Sequence, residues 1–152
     1  MIYVSSPTDE TISMAPVLSH LVQTHKALAH SARLRILAML RPGELCACQV
    51  AALLELSPST VSAHLAELRR SGLILERKEG RWVHYRLSDE PETAKLLHHL
   101  WPRLGADPAV RSDASVLRQL RAVDVAELCR LDLDLTRLGI ARPSAALAGA
   151  RK

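Results

Sequence analysis

The residues with the most distinctive chemistry in this chain are its three cysteines. Cys46 and Cys48 stand two positions apart in the stretch ELCACQV, residues 44–50, and Cys129 is far downstream. A thiolate is a soft ligand, a nucleophile and an oxidisable group, so paired cysteines raise metal or metalloid binding and redox chemistry together. The pair borders what reads as a helix. There, side chains at i and i+2 point about 200° apart. Either the two thiols are unrelated, or the backbone opens so that they meet. Cys129 has two readings of its own. A single cysteine on a helix is commonly a small buried hydrophobe, but it becomes a third ligand if its segment folds back, from the same subunit or a partner.

The composition limits which proteins could hold such a site. A chain of 152 residues, 48% apolar and 24% charged, suits one globular unit with soft ends. Phe is absent, so the core must be built from Leu, Ala, Val and Ile, as in packed helices. No run of about 18 apolar residues suggests a membrane span, and the first residues lack a secretory pattern, so the expected compartment is the cytoplasm. Three cysteines in a reducing compartment do not suggest a disulfide framework. The net charge is +4, and it is concentrated: from Arg69 to Arg86 there are six Lys or Arg against Glu76 and Glu79. Such a patch suits a polyanion.

The elements that must position these groups follow from periodicity and punctuation. Residues 1–13 read as a flexible arm. A first helix from Ala15 to Leu28 opens at Pro16, and a second begins with Ser31 as cap, buries Leu34, Leu37, Met39 and Leu40, and stops at Pro42-Gly43. A short helix through Val50, Leu53 and Leu54 ends near Leu56. The next has Ser57 as cap, Pro58 in its first turn, Val61, Leu65 and Leu68 on one face, and Gly72 as stop. Two short helices across a tight turn form a helix-turn-helix. The period then changes to two: Leu73–Lys78 and Trp82–Leu87 read as a hairpin around Glu79-Gly80-Arg81, a wing in which Trp82 and Tyr85 pack. A helix from Pro91 should end at Pro102. Another is expected from Asp113, as cap, to about Leu131, followed by an ambiguous LDLDL run and a disordered tail over 137–152. The expected fold is therefore mainly α: a winged helix-turn-helix with a two-stranded β wing and flanking dimerisation helices.

In this arrangement the second helix of the motif presents Ser57, Ser59, Thr60, Ser62, Ala63 and His64 to a major groove, where hydroxyls and imidazole bond base edges or phosphate and Ala63 offers a methyl. Arg77, Lys78 and Arg81 near the hairpin tip would serve phosphates or the minor groove, making affinity fall steeply with salt. The bland alternative is a solvated basic face used for protein contacts. Double-stranded operator DNA is the expected partner. Because one reading helix gives a small interface, a homodimer on two half-sites is expected, with no membrane partner.

The stretch GELCACQVAALLELSPSTVSAHLAELRRSGLILERKEGRWVHYRLS, residues 43–88, resembles the ArsR/SmtB family of metal- and metalloid-responsive repressors, in its arsenic-sensing branch. The resemblance covers about residues 15–101. It implies a homodimeric repressor with no constitutive cofactor that releases its operator when trivalent arsenic, or antimony, binds cysteine thiolates. Cys46 and Cys48 match the inducer positions, Ser62 and His64 the reading helix, and Arg81 the wing. The family's familiar Cys-x-Cys-x-x-Cys site has Ala51 in its third position here. Trivalent arsenic favours three thiolates in a pyramid, so the third must come from elsewhere, Cys129 being the remaining thiol; a two-thiol site would suit methylarsenite. The family's zinc-type site pairs an Asp-x-His with a second cluster, and no Asp-x-His precedes His98 and His99, which read as surface or interface residues.

The domain plan is thus an arm at 1–13, a DNA-binding and dimerisation unit at 14–101, a helical extension carrying Cys129 at 102–136, and a tail at 137–152. A thiol redox-switched repressor of the same fold is the alternative function. A thiol-disulfide enzyme lacks the βαβ context, and no Ser/His/Asp set, phosphate-cradling loop or paired carboxylates mark another enzyme. The expected class is non-enzymatic.

Overall fold

The computed structural model describes residues 17–143. The expected arm at 1–13, the helix start at Pro16 and residues 144–152 of the expected tail lie outside the described residues. The elements run α1 (Val17–Leu28), α2 (Ser31–Leu40), β1 (Leu45–Cys46), α3 (Ala47–Leu54), α4 (Pro58–Arg70), β2 (Ile74–Glu79), β3 (Trp82–Leu87), α5 (Pro91–Ala106), α6 (Pro108–Leu120) and α7 (Val125–Arg130). α3, the turn through Glu55–Ser57 and α4 form the helix-turn-helix, and β2 and β3 form the wing. Ile36, Leu37 and Leu40 of α2, Leu53 of α3, Leu65 and Leu68 of α4 and Leu120 of α6 meet in one apolar core.

The caps explain where several elements begin. Ser57 Oγ accepts the Thr60 N–H at 3.2 Å and Pro58 occupies the first turn of α4. α2 is capped by His30, not Ser31: the His30 Nδ1 accepts the Ala32 N–H at 3.1 Å. This leaves Ser31 inside the helix. The hairpin is wider than expected, because β1 adds a third strand in the antiparallel order β1-β3-β2, with Leu45 opposite Tyr85 and Cys46 opposite His84. A two-residue strand carries no alternation to read.

The C-terminal half departs most from expectation. α5 runs through Pro102 to Ala106. Both Pro102 and His98, whose carbonyl loses its helical donor, are exposed, so water can replace that bond, while partly buried Leu100, Trp101 and Leu104 carry the packed face across it. The single helix expected from Asp113 to Leu131 is two. Asp107 and Asp124 are the caps, accepting from Ala109 and Ala126 N–H at 2.8 and 2.9 Å. Residues 131–135 form turns rather than a strand, with Asp132 and Leu133 at φ +54° and +62°. The part of the expected disordered tail that is described packs: Ile140 is buried, and Arg142 donates to the Leu53 carbonyl.

Asp113 is no cap but a carboxylate 1% exposed in the middle of α6. Arg35 of α2 donates to both of its oxygens at 2.7 Å, and Arg142 approaches at 3.4 Å. Removing one member of a buried pair strands the other, at about 3–5 kcal/mol. Asp113→Ala should therefore lower unfolding free energy by roughly that amount in urea denaturation, whereas Asp132→Asn, at an exposed position of the same extension, should cost under about 1 kcal/mol.

Candidate inducer site and nucleic-acid interface

The position of Cys46 resolves the spacing of the two thiols. Cys46 lies outside the helix, with extended backbone (φ −77°, ψ 149°), and is both the last residue of β1 and the cap of α3. Its N–H donates to Gln49 Oε1 at 2.9 Å, closing the helix entry. The thiols therefore meet without any unwinding of α3. The Cys48 thiol and the backbone N–H groups of Ala47 and Cys48 lie near enough to the Cys46 sulfur to act on its ionisation, and His84 lies across the strand pair.

This environment separates the two thiols chemically. The Cys48 thiol, then the backbone N–H groups at the helix start and the positive field of His84, outweigh burial and hold Cys46 down at about 6. Cys48 is pushed up, first by donating to Cys46, then by burial and by a hydrogen bond with the Cys129 thiol. α7 packs against α3, so Cys48 stands between Cys46 and Cys129 of the same chain. The three thiols act on one another's ionisation in the order Cys46, Cys48, Cys129. Among the described residues, no group of three or more His, Cys, Asp or Glu is already close enough to hold a metal ion.

The extension carrying Cys129 grips α3 along its length. Arg121 donates to the Gly43 carbonyl at 3.2 Å, just ahead of Cys46. Cys129 meets Cys48 in the first turn, and Arg142 reaches the Ala52 and Leu53 carbonyls at the far end and Glu55 at 3.3 Å. The first helix of the reading motif is thus held at both ends by residues that follow the motif.

On the reading face, Ser59, Thr60, Ser62 and Ala63 are exposed along the first turns of α4. Ser57 is occupied as cap, with its hydroxyl 2.8 Å from that of Thr60. His64 is half-buried with its ring centroid 4.5 Å from that of His30; burial, then His30 and Arg33, lowers its pKa, favouring the neutral ring. The wing cations are less available than their count suggests. Arg69 pairs with Glu76, Arg70 with Glu67, Arg86 with Asp89, and Arg77 with both Glu44 and Glu79. The single exposed pairs of Arg69, Arg70 and Arg86 are weak and can yield to phosphate, whereas Arg77 is held by two carboxylates. Lys78 is exposed at the hairpin, and Arg81 stacks 4.8 Å from the Trp82 ring.

Sequence reading missed His84, Glu44, His30 and the Arg35–Asp113–Arg142 cluster. His84 was within reach in principle, since it follows from the hairpin register once the third strand is known.

A sheet-flanked helix-turn-helix with these faces defines a winged helix-turn-helix DNA-binding domain. The family model described as "Bacterial regulatory protein, arsR family" matches residues 30–75. The arsenical resistance operon repressor of Escherichia coli K12 is 46% identical over 83 residues, covering 53% of this chain and 71% of its own. The transcriptional activator HlyU of Vibrio cholerae is 47% identical over 78 residues, covering 50% of this chain and 72% of its own, and its reduced form superposes with a TM-score of 0.52 at 40% identity over 62% and 98% of the two chains. A homodimeric winged helix-turn-helix domain from Mycobacterium bovis gives 0.53 at 30% identity over 60% and 84%. The chain belongs to the ArsR family of transcriptional regulators. Among the described residues, no helix is long and apolar enough to cross a membrane.

The thiol asymmetry is directly measurable. Ultraviolet thiolate absorbance should rise with a midpoint near pH 6. The step should vanish in Cys46→Ser and move up toward the ordinary thiol range in Cys48→Ala. A depressed folded pKa adds stability above the ordinary thiol value, and that stability is lost as pH falls through the folded one. The urea midpoint of wild type relative to Cys46→Ala should therefore decline as pH is lowered from about 9 to about 5.

Proposed function

We propose that this chain is a homodimeric operator-binding repressor that releases DNA when trivalent arsenic is taken up by Cys46, Cys48 and Cys129 of one subunit. The observation that carries this is the packing of α7 on α3, which brings Cys129 near Cys48 and Cys48 near Cys46 and offers a third donor where Ala51 cannot. Soft thiolates suit a soft metalloid. In arsenous acid each As–O bond is exchanged for As–S, and each hydroxide leaves as water with a thiol proton. Cys46 is largely ionised near neutrality, so one of those protons comes from solvent. Antimonite follows the same chemistry, and methylarsenite, with one carbon substituent, needs two of the thiols.

In this reading the unit 14–101 binds DNA and dimerises, and the extension 102–136 completes the inducer site. Ser59, Thr60, Ser62, Ala63 and His64 face the major groove, Lys78 and Arg81 face phosphates, and Ser57 sets the start of the helix. The first helix offers Val17, Leu18, Leu21 and Val22 as an exposed apolar stripe, with Leu18 72% exposed, suited to a second copy. The M. bovis neighbour is itself named a homodimer.

One observation favours a redox reading as the second. A low-pKa Cys46 beside another thiol suits oxidation by a hydroperoxide to a sulfenic acid, which condenses with that thiol to a disulfide and water.

Operator release decides between them, read under reducing conditions for the arsenicals and with the reductant removed for peroxide. Cys46→Ser and Cys48→Ser should bind operator and lose the arsenite response. Cys129→Ser should lose the arsenite response and retain the methylarsenite one. Full arsenite release by Cys129→Ser would remove it from the site, and wild type that responds to peroxide and to neither arsenical would favour the redox reading.

A further inference from the structure

The three-stranded sheet ties the thiol loop to the wing through one row of side chains. Cys46 pairs with His84, and His84 with Arg77, so the three lie side by side across β1, β3 and β2. Directly paired residues on neighbouring strands project to the same face. Glu44, two residues before Cys46, lies on that face too, and Arg77 donates to both of its carboxylate oxygens, at 3.0 and 2.5 Å. Arg77 also donates to Glu79 at 2.7 Å, and His84 sits 3.7 Å from Glu44 and 3.8 Å from Glu79. A fork-to-fork pair fixes direction as well as distance, so this clasp joins the thiol loop to the middle of β2. Arg121 holds the same loop from behind by its Gly43 carbonyl.

We propose that Glu44 and Arg77 form a clasp through which ligand binding at the thiols reaches the wing, and that Arg77 is a positioning residue rather than a phosphate contact. The proposal rests on the inducer reading above. In the ligand-free protein both guanidinium edges of Arg77 are occupied by carboxylates, and its partner Glu44 belongs to the loop that leads into Cys46. Cys48 stands between Cys46 and Cys129, and among the described residues no three such groups are yet close enough to hold one atom, so gathering the three sulfurs rearranges the loop that carries Cys46. That motion acts on Glu44 through two residues of chain and on β3 through the His84 pairing. Both connections lead to the angle at which the hairpin meets DNA.

The test uses the full chain and combines operator titrations with arsenite binding followed by arsenic-thiolate absorbance. Coupling is the ratio of operator dissociation constants with and without saturating arsenite, about 5–150-fold in typical allosteric proteins. Glu44→Gln should bring it to within about threefold of unity, with arsenite absorbance still titrating as in wild type. Arg77→Gln should do the same, and the double variant should be no worse than either single one. The charge swap Glu44→Arg with Arg77→Glu should recover most of the coupling, which a general loss of folding would not allow. Salt dependence separates anchor from contact. Losing a phosphate contact lowers the slope of log affinity against log salt by about one, whereas losing an anchor leaves it unchanged.

An Arg77→Gln slope lower by about one, with wild-type coupling retained, overturns the proposal. Unaltered coupling in Glu44→Gln overturns it as well. Wild type that keeps its operator in saturating arsenite sinks the inducer reading and the coupling it would drive. The anchoring role of Arg77 is still decided in that case, because the salt slope is read on ligand-free protein.

Discussion

Cys46 must finish a strand and start a helix in the same residue, and much of the local architecture follows from that constraint. As the last residue of β1 it is committed to pairing with His84, and as the cap of α3 it is committed to an extended backbone with its side chain over the first helical turn. Helix N-termini leave N–H groups without partners and carry partial positive charge. A sulfur placed there is drawn toward the thiolate form. The same geometry puts Cys48, two residues further on, within reach of it, which an unbroken helix would have prevented.

The helix-turn-helix and the wing were legible because each is written locally: Ser57-Pro58 opens a helix, Val61, Leu65 and Leu68 repeat on one face, and the change to period two at the hairpin is abrupt. Cys46 and Cys48 stood out by spacing alone. Their meeting was not legible as it occurs, since a two-residue strand has no pattern and its pairing depends on a hairpin almost 40 positions later. The C-terminal extension was read worst. Asp113 has the residue type of a cap, but burial against Arg35 gives it a different task, and nothing in its neighbours announces a partner 78 positions away. Pro102 has the residue type of a helix stop and is overridden by packing on both sides.

The extension also changes how the reading head is held. The family-model match ends at residue 75, yet Arg121, Cys129 and Arg142 all lie beyond it and all contact α3 or the loop that enters it. A helix fixed by its own core face, Val50 and Leu53, is here also braced from outside. The brace adds backbone carbonyls and a thiol to the apolar packing of Leu128, Leu135 and Ile140, so part of it is sensitive to local chemistry in a way that the Leu-rich core is not.

The contact between Cys48 and Cys129 closes a stretch of about 80 residues that includes the whole of α4 and the wing. Any atom bonded to both sulfurs would act on the chain as a covalent cross-link does. Cross-links over stretches of this length remove about 4–5 kcal/mol of conformational freedom from the unfolded chain in the loop-entropy picture. A ligand held there would therefore protect the polypeptide against unfolding and proteolysis to an extent set by its concentration relative to its dissociation constant, whatever it did to the affinity for DNA.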